Sequence, residues 1–182
     1  MNFSVDTSEQ ETAPLTNPLV VIERDPVPAA QRVVAAARRR RVKIATAESL
    51  TGGLVGATIC TVAGASGVYQ GGVISYANSV KAQLLEVSEG LLQSAGSVDP
   101  QVAEQMASGA AQSCGTDFAV ATTGVAGPEP HDGKPVGLVY IGIAGPHGVH
   151  SVQKRYDGDR QSIREQAAFD ALEILFAELQ DA

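Results

Sequence analysis

The sequence has few of the residues that mark several classes of protein. Among its 182 residues there is no tryptophan, and there are only two cysteines and three histidines. Two cysteines cannot build the disulfide framework of a small secreted domain. No apolar run approaches the roughly 20 residues needed to cross a bilayer. The first residues are polar and acidic, without the basic and apolar regions of a secretory signal. These absences predict a cytoplasmic protein with no membrane partner.

Basic residues are also scarce, with 13 lysines and arginines against 20 acidic residues and a net charge of −7. Because nucleic-acid-binding domains usually carry a basic face, no nucleic-acid partner is expected. The arginine run at 38–41 ends a predicted helix, where positive charge complements the helix dipole. Cys60 and Cys114 lie in apolar stretches, which predicts two buried thiols. No His, Cys, Asp or Glu cluster has ligand spacing, so neither a metal nor a cofactor is expected.

Apolar residues make up 44% of the chain, which is enough for one well-packed core. Residues 1–25 lack apolar periodicity and predict a flexible tail, while residues 26–182 predict a single domain. Helical segments there alternate with short strands at 42–47, 68–76 and 118–123, and a hairpin follows, with strands at 136–145 and 149–157. This order predicts an α/β fold, a three-layer α/β/α domain with a mixed sheet.

The segment ATAESLTGG, residues 45–53, carries the first chemical signal. Ser49 follows a predicted strand where a helix begins, and open α/β sheets bind ligands at this edge. The N–H groups of Thr51, Gly52 and Gly53 would be free in the first helical turn to meet a ligand. The alternative is that Ser49 serves only as the N-cap of the helix.

A serine nucleophile needs a base, and Lys81 is one candidate. Desolvation can lower the pKa of a lysine until it accepts a proton. Tyr76 and Asn78 lie close to Lys81 where a strand gives way to a helix. A helix starting near 78 would place Asn78 and Lys81 on one face. Two alternatives stay open: a solvated helix lysine, and a triad that uses one of the three histidines.

Two further segments suggest ligand binding. In TTGVAGPEPHDGKPVG, residues 122–137, Thr122 and Thr123 offer hydroxyls, and Gly124 and Gly127 permit tight turns around a ribose or an amide. The spacing fits neither a P-loop nor a dinucleotide-binding loop, and the segment could equally be structural. Arg160 begins the last helix, where a guanidinium and the helix dipole can hold a phosphate. The alternative for Arg160 is an ordinary surface residue.

Together these segments resemble the CinA C-terminal domain, a family also called nicotinamide-mononucleotide amidohydrolase. The resemblance runs from about residue 30 to 180. It rests, in order, on AESLTGG at 47–53, Y-x-N-x-x-K at 76–81, GVAGP at 124–128, KPVG at 134–137 and GDR at 158–160. Two departures stand out: Thr122, Thr123 and Gly124 where the family commonly has serine-glycine, and EPHDG at 129–133 in place of a glycine-rich stretch.

The resemblance implies hydrolysis of nicotinamide mononucleotide to nicotinate mononucleotide and ammonia, a step of pyridine nucleotide salvage. It implies Ser49 as nucleophile, Lys81 as its partner, a catalytic role for Tyr76, and a hydroxyl supplied by Thr122 or Thr123. Many members carry this domain behind a larger one, for which this chain is too short, so a stand-alone deamidase is expected.

The family habit of pairing and the apolar last helix predict a homodimer. An alternative of another class is a non-catalytic nucleotide-binding or interaction module. Such a module would use the same glycine turns, but it would not need the Ser49–Lys81 pair.

Overall fold

The structure is a computed structural model that describes residues 25–181. Eleven main elements follow one another in these residues, with a short 3₁₀ turn at Ala65–Gly67 before the second strand. They are α1 (Pro26–Arg40), β1 (Ile44–Glu48), α2 (Leu54–Cys60), β2 (Tyr69–Ile74), α3 (Asn78–Leu85), α4 (Glu89–Ala95), α5 (Pro100–Cys114), β3 (Phe118–Gly124), β4 (Leu138–Gly145), β5 (Gly148–Arg155) and α6 (Arg160–Asp181). The tail predicted for 1–25 lies outside the described residues except for Asp25, whose carboxylate caps α1.

The five strands form one sheet in the order β2-β1-β3-β4-β5. Strand β1 runs parallel to both β2 and β3, whereas β4 and β5 are antiparallel neighbours that form the hairpin. The prediction of a mixed sheet is therefore confirmed. Because β1, β2 and β3 are parallel, their carboxyl ends lie at one edge of the sheet.

Helices cover both faces of the sheet. Strand side chains alternate between the two faces: Ile44 and Phe118 pack with α1, α2 and α6, while Ala45 and Ala119 pack with α3 and α5. The small side chains on the second face let α5 approach the sheet closely, with Met106 buried between them. The predicted three-layer α/β/α architecture is confirmed.

Some local features differ from the expectations. Helix α4, capped by the Ser88 side chain, occupies a stretch in which no helix was predicted. Cys60 is exposed and Cys114 is half-buried, so the expectation of two buried thiols is wrong. No helix within residues 25–181 is long and apolar enough to span a bilayer.

Candidate active site

A cavity of about 330 Å³ opens at the carboxyl edge of the parallel strands. Three strand ends supply its floor: Ser49 follows β1, Tyr76 follows β2, and Gly124 ends β3. The β3–β4 loop and the start of α6 form the walls. The other lining residues are Leu50, Ser97, Val125, Ala126, Gly127, Pro128, Glu129, Pro130, His131 and Arg160.

Lys81 reaches Ser49 from beneath this floor. Its side chain is only 1% exposed, and its Nζ lies 3.1 Å from Ser49 Oγ. The same Nζ donates to the carbonyl oxygens of Ser75 at 2.7 Å and of Tyr76 at 3.3 Å. Burial lowers the pKa of Lys81 from 10.5 to about 8, because desolvation disfavours the ammonium form. The structure therefore brings together the two residues of the predicted pair.

The three neighbours of Lys81 Nζ define what each protonation state can do. An ammonium group has three N–H donors, so it can donate to both carbonyls and to Ser49 Oγ. A neutral amine has two N–H groups and one lone pair. Because the carbonyls of Ser75 and Tyr76 can only accept, they take the two N–H groups, and the lone pair is left for the Ser49 hydroxyl. Lys81 can accept the Ser49 proton only in this neutral state.

Ser49 is not the N-cap of α2. That position belongs to Gly53, whose φ of 97° places it in the left-handed region that glycine tolerates. Ser49 instead lies five residues before the helix, and its N–H donates to Thr122 O at 2.9 Å, which extends the pairing with β3. The alternative that Ser49 only caps the helix is therefore wrong.

Glu48 is a buried side chain of the site that the sequence analysis missed. It is 2% exposed. Its carboxylate accepts four hydrogen bonds, from Thr51 Oγ1 at 2.7 Å and from the N–H groups of Gly53, Val55 and Gly56 at 2.9, 3.1 and 2.8 Å. A sequence signal existed, since this glutamate directly precedes Ser49 at a strand end and α2 lacks a capping side chain of its own.

The expectation that the first helical turn offers free N–H groups to a ligand is wrong for Gly52 and Gly53. The N–H of Gly53 donates to Glu48, and that of Gly52 donates to Ser49 O at 3.2 Å. Thr51 is fully buried, and its hydroxyl is used by Glu48. Gly52 and Gly53 therefore use their N–H groups within the Ser49 loop, whereas the N–H of Thr51 has no acceptor within residues 25–181.

The two threonines at the end of β3 also lie behind the cavity wall. The hydroxyl of Thr122 contacts Thr51 Oγ1 at 2.7 Å, and that of Thr123 donates to Ser97 O at 2.6 Å. Both threonines are buried, so neither hydroxyl reaches the cavity. Gly124 and Gly127, in contrast, do line it.

Arg160 closes one side of the cavity mouth. Its guanidinium donates to Gly127 O at 2.7 Å and to the hydroxyl of Tyr76 at 2.7 Å, which links the β3–β4 loop to the end of β2. Arg164, one turn further along α6, donates to Leu50 O at 3.1 Å and to Thr51 O at 2.8 Å. Arg160 thus faces the cavity, whereas Arg164 holds the loop that carries Ser49.

The remaining candidates are Asn78 and the three histidines, and within the described residues none of them bonds to Ser49. Asn78 is exposed and lines a separate depression of about 200 Å³ between α3 and α4. His131 lines the main cavity, but its nearest charged partner is Asp132, at 3.4 Å. The other two histidines, His147 and His150, belong to the β4–β5 hairpin. Within the described residues, no group of three His, Cys, Asp or Glu side chains could hold a metal ion.

The protein is a three-layer α/β domain. At the carboxyl edge of its parallel strands, a buried lysine lies against a serine. Residues 27–179 match the family described as the CinA C-terminal domain, and the chain belongs to that family. The family assignment made from the sequence motifs is thus confirmed.

Two curated relatives and two solved structures illustrate the similarity. A CinA-like protein of Frankia casuarinae is 45% identical over 137 residues, covering 75% of this chain and 32% of the relative. A CinA-like protein of Synechococcus sp. is 47% identical over 146 residues, covering 78% and 35%. The chain therefore spans about a third of the length of these curated relatives.

Among solved structures, the competence/damage inducible protein CihA of Agrobacterium tumefaciens superposes with a TM-score of 0.81 at 37% identity. That match covers 85% of this chain and 95% of the other. A CinA superfamily protein of Klebsiella pneumoniae gives a TM-score of 0.83 at 29% identity, covering 87% and 99%.

Proposed function

We propose that this protein is an amidohydrolase that converts nicotinamide mononucleotide to nicotinate mononucleotide and ammonia. The observation that carries the proposal is the 3.1 Å contact between Ser49 Oγ, at the cavity floor, and Nζ of the buried Lys81. A binding module has no use for a buried lysine, whose desolvation is costly, whereas a serine nucleophile needs an adjacent base.

The reaction begins with proton transfer. Neutral Lys81 takes the Ser49 hydroxyl proton while Oγ forms a bond to the carboxamide carbon. The tetrahedral intermediate then collapses, the C–N bond breaks, and the ammonium of Lys81 gives its proton to the departing nitrogen as ammonia. Water next attacks the ester, Lys81 takes a proton from the water, and Ser49 regains a proton as nicotinate mononucleotide leaves.

The negative charge on the intermediate needs N–H donors other than those of α2. Leu50 and Ala126 both line the cavity, and within residues 25–181 neither backbone N–H has a hydrogen-bond acceptor. We assign these two groups as the oxyanion donors in the proposed mechanism. The N–H after a nucleophile serves this purpose in other serine hydrolases, and one such donor lowers the barrier by about 3–4 kcal/mol.

The substrate phosphate is assigned to Arg160. Two of its five N–H groups are used by Gly127 O and by Tyr76, which orients the guanidinium at the cavity mouth and leaves N–H groups for a phosphate. The volume of about 330 Å³ is at the lower end of the range for small-molecule sites, about 300–1,000 Å³, as suits a mononucleotide.

The test is ammonia release from nicotinamide mononucleotide by the wild type, Ser49→Ala and Lys81→Met. Each variant should lose at least about a thousandfold in kcat, because a nucleophile and its base act as a unit. Ser94→Ala is the matched control, since Ser94 is an exposed residue of α4 whose hydroxyl bonds within its own helix.

A second readout separates catalysis from binding. Rapid quenching of the wild type in acid should trap an ester on Ser49, visible in the intact mass as substrate minus ammonia. Full ammonia release by Ser49→Ala would refute the proposal, as would the absence of turnover by the wild type.

A further inference from the structure

The loop that carries Ser49 is held by two ionic side chains of opposite charge. On one side, the Glu48 carboxylate accepts from the N–H of Gly53 and from the hydroxyl of Thr51. On the other side, the Arg164 guanidinium donates to the carbonyl oxygens of Leu50 and Thr51. The carbonyl oxygens of Leu50 and Thr51 and the hydroxyl of Thr51, which in most loops would bond to water, are here bonded within the protein.

This use of Glu48 has an energetic cost. Burial of a carboxylate is unfavourable unless hydrogen bonds replace its hydration, and Glu48 accepts four of them. Three of the donors are N–H groups at the start of α2, where the helix dipole also favours a negative charge. A neutral cap would be sufficient to begin a helix of seven residues. Capping alone therefore does not explain why a buried carboxylate stands at this position.

The reason lies in the residue next to Glu48. Because Ser49 directly follows it, a carboxylate fixed at four points leaves the Ser49 backbone little freedom at its start, and Arg164 removes freedom at the residues that follow. We infer that Glu48 and Arg164 are positioning residues that hold Ser49 Oγ against Lys81 Nζ. The inference rests on the proposed function, because it assumes that Ser49 is the nucleophile.

The threonine hydroxyls extend this arrangement to the neighbouring strand. A carboxylate only accepts, so Thr51 Oγ1 must donate its proton to Glu48. Thr122 Oγ1, which lies 2.7 Å from Thr51 Oγ1, must then donate to Thr51. The direction of both hydroxyls is thus fixed by Glu48. Replacement of Thr51 by valine removes these bonds while the shape of the side chain is kept.

A matched set of variants tests the inference. Thr51→Val removes one hydrogen bond to Glu48. Glu48→Gln replaces one carboxylate oxygen by an amide NH₂ group, which cannot accept a hydrogen bond from the donors at that position. Thr58→Val is the control, since Thr58 is a buried threonine of α2 whose hydroxyl donates only to Leu54 O in its own helix. Thermal unfolding of each variant verifies that it is folded.

The main readout needs no nucleotide. The second-order rate of Ser49 modification by a fluorophosphonate probe, followed by intact mass, reports the reactivity of the hydroxyl directly. We expect Thr51→Val and Glu48→Gln to react at least about tenfold more slowly than the wild type, because a small misplacement of a reacting atom can cost up to about a hundredfold. Thr58→Val should react at the wild-type rate.

Turnover of nicotinamide mononucleotide provides the second readout. Glu48 and Thr51 do not line the cavity, so kcat should fall by a similar factor while KM changes by less than about threefold. If Glu48→Gln fails to fold, Thr51→Val and Thr58→Val decide the question. Three results would overturn the inference. They are labelling of Thr51→Val at the wild-type rate, a fall in the labelling rate of Thr58→Val as large as that of Thr51→Val, and no labelling of Ser49 in the wild type. If the wild type and the variants are labelled in the expected pattern but the wild type releases no ammonia, the proposed function is refuted and the positioning inference stands.

Discussion

The pH dependence expected of the proposed reaction follows from the protonation of Lys81. Burial lowers its pKa from 10.5 to about 8, which corresponds to about 3 kcal/mol between the two protonation states. The neutral fraction is then about one hundredth at pH 6, about one tenth at pH 7 and about nine tenths at pH 9. A lysine with its ordinary pKa would be neutral in only about 0.03% of molecules at pH 7. At pH 7, burial therefore raises the neutral fraction of Lys81, the proposed base, by a few hundredfold.

The assay is kcat for ammonia release from saturating nicotinamide mononucleotide, measured between pH 6 and 9. The value should rise about tenfold per pH unit up to pH 7 and level off above pH 8. We choose kcat instead of kcat/KM, because the substrate phosphate itself titrates near pH 6. Lys81→Arg is a useful companion, since a guanidinium stays charged and cannot accept the proton, so its activity should be lost at every pH.

A kcat that stays constant from pH 6 to 9, or that falls as the pH rises, would refute the assignment of Lys81 as base. A slow release of product could flatten the steady-state profile. The rate of ester formation on Ser49 in a single turnover avoids this ambiguity, because it precedes product release. The same rise should appear in that rate.

Three further predictions concern stability and substrate binding. Between pH 8 and 10.5 only the unfolded chain binds a proton at Lys81, so the wild type should gain up to about 3 kcal/mol of unfolding free energy over that range relative to Lys81→Met, measured by urea unfolding. Gly109→Ala should lower the midpoint of thermal unfolding: its Cβ would lie 2.0 Å from the backbone oxygen of Leu85, a clash that places the overpacking cost near the upper end of about 1–3 kcal/mol, above the helix-propensity gain of about 1 kcal/mol. Gly90→Ala is the control, since its nearest atom would be 3.7 Å away, and an unchanged midpoint in Gly109→Ala would contradict the packing argument. Arg160→Ala should raise KM for nicotinamide mononucleotide more than it lowers kcat; an equal effect on the riboside, which lacks the phosphate, would contradict the phosphate role.

The fold was predictable because its signals are local. Strand β1 reads as a short apolar run and is buried on both faces, as a parallel strand should be. Asp99 and Pro100 mark the start of α5, and the Asp99 carboxylate accepts from the N–H groups of Gln101 and Val102. Helix α4 was missed because it has only seven residues and a single buried apolar side chain, Leu92, which gives no periodicity to detect.

The supporting residues of the site were less predictable, because they depend on contacts that a linear pattern does not contain. Glu48 reads as a polar strand end, and its role appears only when the chain folds back to bring Val55 and Gly56 to its carboxylate. The linear pattern does not distinguish Thr122 from Thr123, but neighbouring residues in a strand point to opposite faces. One therefore meets Thr51 and the other Ser97, and neither meets the cavity. The predicted homodimer stays a prediction.

Helix α6 connects the cavity with the opposite end of the molecule. Its 22 residues extend about 33 Å, and both Arg160 and Arg164 lie in its first two turns. At its other end, Leu179 O accepts from Arg40 of α1 at 2.9 Å. Because α6 carries both arginines, an axial slide of one residue, about 1.5 Å, would displace the cavity mouth and the Ser49 loop together. A substitution at the far end of α6, beside α1, would therefore reach the Ser49 loop only by shifting the helix that carries both arginines.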